Sequence, residues 1–111
     1  MKVIRKRPGE YPEMIEIENT LEALQHEAGG YIETVWAQNL PGTMIVNEEG
    51  RLKKLKPNIL LVYPGLTTLV GTVLWVGVAE DEFTDVPYTM EEFEHWMSVH
   101  TCSYGMKEAV S

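Results

Sequence analysis

The chain has 111 residues, room for one domain with one sizeable core, and its 44% hydrophobic and 23% charged composition excludes global disorder. A formal charge of −8 sets up a field that repels phosphate backbones, so direct DNA or RNA binding is not expected. The apolar runs 59–63 and 72–79 are too short to span a bilayer, no charged leader opens the chain, and Cys102 has no second cysteine to pair with. A cytoplasmic protein without membrane contact is the expectation.

Residues 1–7 read as a first strand carrying Val3 and Ile4, punctuated by Pro8-Gly9. Residues 13–18 alternate apolar and acidic, the period of a strand with one wet face, and predict a hairpin with the first. Asn19 or Thr20 then caps a short helix with Leu21, Leu24 and Ala28 as its apolar stripe, ended by Gly29-Gly30. The β-branched and aromatic run 31–37 predicts a third strand, and Pro41-Gly42 turns the chain into a fourth at 43–46.

Asn47-Glu48-Glu49-Gly50 has the residues of a tight turn, asparagine first and glycine fourth. The stretch 51–56 follows as an irregular or short extended piece in which the spacing of Leu52 and Leu55 predicts that both tuck inward. A brief strand is expected at 59–63. Residues 70–79 are almost wholly apolar, as in a central strand buried on both faces, with Gly71 and Gly77 at its ends or at a close approach. Glu80-Asp81-Glu82 reads as a solvated link from that strand to the last helix. Thr89-Met90-Glu91-Glu92 is a capping box, and Phe93, Trp96, Met97 and His100 share one face of the helix it starts. Tyr104-Gly105 is expected to stop that helix. The predicted fold is α+β: a mixed or antiparallel sheet of five to six strands with two helices, one domain over 1–101, and a frayed tail over 102–111.

Nothing in the residues points to catalysis. Cys102 and His100 are two apart, a spacing that faces different ways on a helix, and Ser98, Ser103 and Ser111 lack a motif. Glu91 and His95 share a helix face but find no third ligand nearby, since His26 lies on another element. Glu80-Asp81-Glu82 lacks the ligand alternation of a calcium loop, and no glycine-rich phosphate cradle is present. No catalytic residue, metal or cofactor is expected.

Charge is distributed unevenly. No Lys or Arg lies between Pro57 and Met106, an interval that holds Glu80, Asp81, Glu82, Asp85, Glu91, Glu92 and Glu94. The basic residues gather as Lys2/Arg5/Lys6/Arg7 and Arg51/Lys53/Lys54/Lys56, with Lys107 apart. These two clusters could attract an anion if the fold joins them; the plainer reading is a solvated loop on a protein kept soluble by acid. Tyr31, Trp36, Tyr63, Trp75, Tyr88 and Trp96 supply amphipathic rings, with core positions the simpler reading for Trp36, Trp75 and Trp96. The candidate ligand-binding residues are Tyr31, Asn47, Arg51, Lys53, Lys54, Lys56 and Asn58. The candidate protein-interaction residues are the seven acids of 80–94.

The runs Asn19-Thr20-Leu21-Glu22-Ala23-Leu24-Gln25, Gly29-Gly30-Tyr31-Ile32-Glu33 and Asn47-Glu48-Glu49-Gly50 resemble the DUF3846 family. So do Leu52 through Pro57-Asn58, and Gly71-Thr72 leading to Val76-Gly77. The resemblance spans about residues 1–100 and departs at Ile59, where relatives tend to carry a basic residue after Pro-Asn. It implies a small protein of bacteria, phages or mobile elements, with no general activity attached. In that setting the expectation is a non-enzymatic accessory protein that blocks a bacterial defence by stoichiometric binding. Its partner is a host defence protein, met by an acidic face as in an anti-CRISPR-type nuclease inhibitor, or a signalling nucleotide held by a homo-oligomer. A housekeeping protein-interaction module is the competing expectation, and a small hydrolase a more distant one.

Overall fold

The computed structural model describes residues 1–62 and 65–106. The N-terminal alternation becomes an antiparallel hairpin of β1 (Lys2–Lys6) and β2 (Glu13–Glu16), with Val3 opposite Ile15 and Ile4 opposite Met14. Helix α1 (Leu21–Ala28) is capped by Thr20, whose hydroxyl accepts from the Ala23 N–H at 3.1 Å, and it ends at the left-handed Gly29. Leu24 and Ala28 are buried, whereas Leu21 is exposed. Strands β3 (Ile32–Val35) and β4 (Thr43–Asn47) follow as an antiparallel pair.

The long apolar run is two strands. β5 (Pro57–Leu61) pairs with β6 (Thr67–Val70), and Gly71 then turns the chain at φ 73° into β7 (Val73–Ala79). This corrects the single strand expected over 70–79. Both halves are hydrophobic because each enters a core; the break is a backbone event that hydropathy does not register. The Gly71 N–H donates to the Lys56 carbonyl at 2.8 Å, and a Cβ here would sit 2.8 Å from Leu55 Cδ1. A second correction follows β7. Glu80 and Asp81 both take positive φ, as a two-residue hairpin turn of the twist-matched type requires, and lead into β8 (Glu82–Thr84) instead of directly to a helix.

Helix α2 (Met90–His100) begins with the expected capping box: the Thr89 hydroxyl accepts from the Glu92 N–H, and Glu92 Oε1 accepts from the Thr89 N–H. It ends at His100, earlier than the Tyr104-Gly105 stop expected, because Thr101–Ser103 forms β9 along β5. The first residues assigned to the tail, Cys102 and Ser103, are therefore part of a sheet.

Sheet one has six strands in the order β2-β1-β7-β4-β3, with β8 on the far end of β7; the second has three, in the order β6-β5-β9. The pairings are antiparallel. β7 is central, and Val73–Gly77 are buried on both faces as the composition predicts, whereas Val78 and Ala79 are exposed. Val73 and Trp75 face α2 and the second sheet, meeting Ile59, Leu61, Phe93, Trp96 and Met97. Leu74 and Val76 face α1, meeting Val3, Leu24 and Ile45. Trp75 is the largest fully buried side chain and meets Phe93 edge-on at a ring separation of 4.7 Å. Trp75 and Trp96 are thus core residues, but Trp36 is 66% exposed, against the core reading. Tyr63, expected to end the fifth strand, and Lys107 lie outside the described residues.

Candidate functional site

Two asparagines organise the region around the basic loop. Asn47, the last residue of β4, is buried; its Oδ1 accepts from the Glu49 N–H at 2.8 Å and so shapes the turn. Its Nδ2 donates to the Ala28 carbonyl at 3.2 Å, fastening the turn to the end of α1. The loop is then wound by N–H donation from Gly50 to Asn47, from Lys53 to Glu49 and from Leu55 to Gly50. Asn58, in β5, has no exposed surface. Its Nδ2 donates to the carbonyls of Lys6 and Gly71, both at 2.7 Å, while its Oδ1 accepts from Lys6 Nζ at 2.6 Å. One amide thereby joins the end of β1, the start of β5 and the turn before β7.

That joint brings the two basic clusters together. Arg7 leaves the end of β1 beside Lys53 and Lys56, and the three line one hollow of about 400 Å³ together with Glu10, Glu27, Gly29 and Thr72. Arg7 makes a loose, exposed ion pair with Glu10 at 3.8 Å, and Glu27 is engaged by Arg5 at 2.8 Å. Lys53 and Lys56 make no ion pair among the described residues. Gly30 leaves room for the Lys53 ammonium: a Cβ there would lie 3.1 Å from Nζ. A protein of net charge −8 thus holds one concave patch where three cations face two carboxylates, Glu27 being engaged by Arg5 from outside the trio and Glu10 loosely by Arg7.

The remaining predicted residues are dispersed. Arg51 turns the other way; its Nη2 donates to the Thr68 carbonyl at 3.0 Å beside Glu33 and Glu48. Tyr31 and Lys54 are exposed and do not line the hollow. Asn47 lines the hollow while its amide bonds within the protein, and Asn58, without exposed surface, spends its amide on the joint that builds the site. Leu52 is 84% exposed, against the expectation that it tucks inward, while Leu55 packs beside Gly50 and Gly71. Arg7 is the contributor the loop-centred assignment left out. Within its cluster Arg5 is committed to Glu13 and Glu27, and Lys6 is buried.

The seven acids do not line one common hollow. Glu82 and Asp85 border one, with Asp85 Oδ1 accepting from the Lys2 N–H at 2.8 Å. Glu91 and Glu92 border a second and Glu94 a third, while Glu80 and Asp81 form the β7–β8 turn. Among the described residues no group of three or more His, Cys, Asp or Glu is placed to hold a metal ion, and no helix is long and apolar enough to cross a membrane.

Burial of the Lys6 ammonium pulls its pKa below the ordinary 10.5, the nearby Glu10 offsetting this in part. The folded state therefore releases this proton before the unfolded state does, so stability rises with pH between the depressed value and 10.5. Burial raises the Tyr88 pKa, which acts oppositely above the ordinary 10.0. Urea unfolding of the wild type and Lys6→Met across that alkaline window separates the two. The variant should lose the rising component, and an unchanged pH profile would contradict the assignment.

Fold and site together define a small α+β protein with a cationic hollow held open by backbone-directed amides. The model of the family described as Domain of unknown function (DUF3846) matches residues 1–98, and the chain belongs to that family. No curated protein and no solved structure matches it.

Proposed function

We propose that this protein works by stoichiometric binding, not catalysis, and that the hollow of Arg7, Lys53 and Lys56 takes a small phosphate-bearing ligand of the nucleotide class. The observation that carries the reading is the meeting of two basic clusters, distant in sequence, in one concave patch of an otherwise acidic chain. Unpaired ammonium groups beside a guanidinium suit phosphate oxygens, because charge-assisted hydrogen bonds are the stronger kind. The volume of about 400 Å³ suits a ligand of that size and is too confined for a duplex. In the cytoplasm of a host carrying a phage or mobile element, such capture would deprive a bacterial defence of its signalling nucleotide.

Direct inhibition of a host nuclease is the second reading. The lack of a Lys or Arg between Pro57 and Met106 favours it, and the spread of the seven acids over separate hollows weighs against it. The deciding experiment titrates a cyclic dinucleotide and a nucleoside monophosphate into the wild type and into a Lys53→Glu, Lys56→Glu double variant. Affinity should fall about a hundredfold, from the loss of two charge-assisted contacts. Melting should hardly change, since exposed charges contribute little to stability. Equal affinities, or no binding to the wild type, would overturn the reading.

A further inference from the structure

A strand at the edge of a sheet presents unpaired N–H and C=O groups, a template on which another strand can pair. Most edges of this molecule are blunted. Arg51 Nη2 takes the Thr68 carbonyl of β6 at 3.0 Å, and Asn19 Nδ2 donates to the Phe83 carbonyl of β8, also at 3.0 Å. β2 follows Pro12 and carries Glu13 and Glu16, and β9 has only three residues. The edge at β3 differs. It has no proline, lysine or arginine, and Glu33 is its one charge. Trp36, the next residue, is 66% exposed.

The ladder fixes which groups of this edge are free. The Glu48 N–H donates to the Tyr31 carbonyl at 2.8 Å, and Ile32 lies opposite Asn47. Antiparallel alternation therefore turns the main-chain groups of Tyr31, Glu33 and Val35 toward β4 and those of Ile32 and Thr34 outward. Among the described residues nothing bonds to the outward groups. The side chains sort in the same way. Ile32 packs on the α1 side, while Val35 and Ala37 pack on the other, which places Thr34 and Trp36 on the face of Ile32. Helix α1 lies over Val3, Ile45 and Leu74, inboard of the edge.

We infer that the β3 edge pairs antiparallel with the β3 edge of a second copy of this chain, on a two-fold axis at Thr34. A symmetric antiparallel pair sets one residue opposite its own copy. Centring on Glu33 would place two carboxylates directly opposite each other, which is unfavourable. Centring on Thr34 places two hydroxyls there instead, with the outward N–H and C=O of each Thr34 meeting those of the other. The same register sets Ile32 of each copy against Trp36 of the other, an aromatic to β-branched pair of the favourable kind, and Glu33 against Val35. A foreign strand would have to bring its own apolar side chain to cover Trp36. A second copy supplies one at the required spacing. The contact is small, below about 1,200 Å² in total, so the dimer is weak and depends on concentration. The inference does not rest on the phosphate hollow, which other residues line.

The test compares the intact wild type with Thr34→Lys, Thr34→Glu and Trp36→Ser by sedimentation equilibrium, at a salt concentration that screens the charge of −8 on each copy. The wild type should pass from monomer to dimer between low-micromolar and near-millimolar concentration. Each Thr34 variant sets like charges opposite each other and should dimerise at least about fivefold more weakly. Trp36→Ser removes two aromatic contacts per dimer and should lose about tenfold or more. Thr34 and Trp36 are exposed, so the variant monomers should melt with the wild type. An equal mixture of Thr34→Lys and Thr34→Glu should recover the lost affinity, because residue 34 then faces an opposite charge. In the wild type, exchange of the Ile32 and Thr34 amide protons should slow as protein concentration rises. A wild type that stays monomeric throughout, unchanged dimerisation in the variants, or a mixture that gains nothing over its parts would overturn the inference.

Discussion

Asn58→Leu is expected to destabilise the protein by about 3–5 kcal/mol, the cost of stranding one buried cation and two buried carbonyls. Leucine fills much the same space but offers neither donor nor acceptor. Lys6, itself without exposed surface, would lose the acceptor 2.6 Å from its ammonium. The Lys6 and Gly71 carbonyls would each lose a donor at 2.7 Å. Against a total stability of roughly 5–15 kcal/mol for a domain of this kind, such a loss is a large share. Chemical denaturation measures it. A Lys6→Met, Asn58→Leu double variant should recover part of the deficit, since removing both members of a buried polar pair costs less than orphaning one. A single-variant loss below about 1 kcal/mol would show that the amide does not hold the joint.

Gly42→Ala should be comparably severe, for a steric reason. Gly42 has φ 88°, and a Cβ there would lie 2.0 Å from the Val76 carbonyl oxygen and 3.1 Å from Gly77 Cα. Those are backbone atoms of the central strand. They cannot swing aside as a side chain can. The next residue, Thr43, pairs with Val76, so the methyl group would push β4 from β7 where their ladder begins. About 3 kcal/mol or more is expected, combining strain and lost pairing. Gly9→Ala is the control: its φ is also positive, at 75°, but its Cβ would meet nothing closer than 3.5 Å. It should cost only about 1 kcal/mol, from backbone strain alone. Similar melting of the two variants would contradict the steric account.

Much of the fold was legible because local signals agreed with the tertiary result. The Thr89 box, the stripe of Phe93, Trp96 and Met97, and the two-faced run Val73–Val76 each announce their place. Failures arose where backbone geometry or long-range partners decided. Gly71 was legible as a strand end or close approach, but hydropathy did not show that Val70, just before it, belongs to a separate strand, nor that a second sheet forms there. Glu80 and Asp81 adopt positive φ without glycine, leaving no compositional mark of the hairpin. Thr101–Ser103 is a strand because β5 offers it a free edge, a fact absent from its own residues.

The candidate site was half legible. The imbalance of charge exposed both basic clusters, but which members would meet depended on the Asn58 joint. Arg7 enters the hollow because β1 ends there, while Arg51 and Lys54 leave it as the loop winds past Gly50. Asn47 and Asn58 drew attention as polar residues beside lysines, the pattern of ligand contacts. Their burial shows that the protein itself consumes their hydrogen bonds.

The central claim is that the hollow of Arg7, Lys53 and Lys56 binds a nucleotide-class anion. The most direct measurement is an amide-resolved NMR titration of the wild type with a cyclic dinucleotide, repeated at higher salt. Saturable shifts should concentrate at Gly29, Lys53, Lys56 and Thr72, which share the hollow, and affinity should weaken as salt screens the exposed charges. An absence of shifts, or shifts gathered around Arg51 and Tyr31 instead, would contradict it.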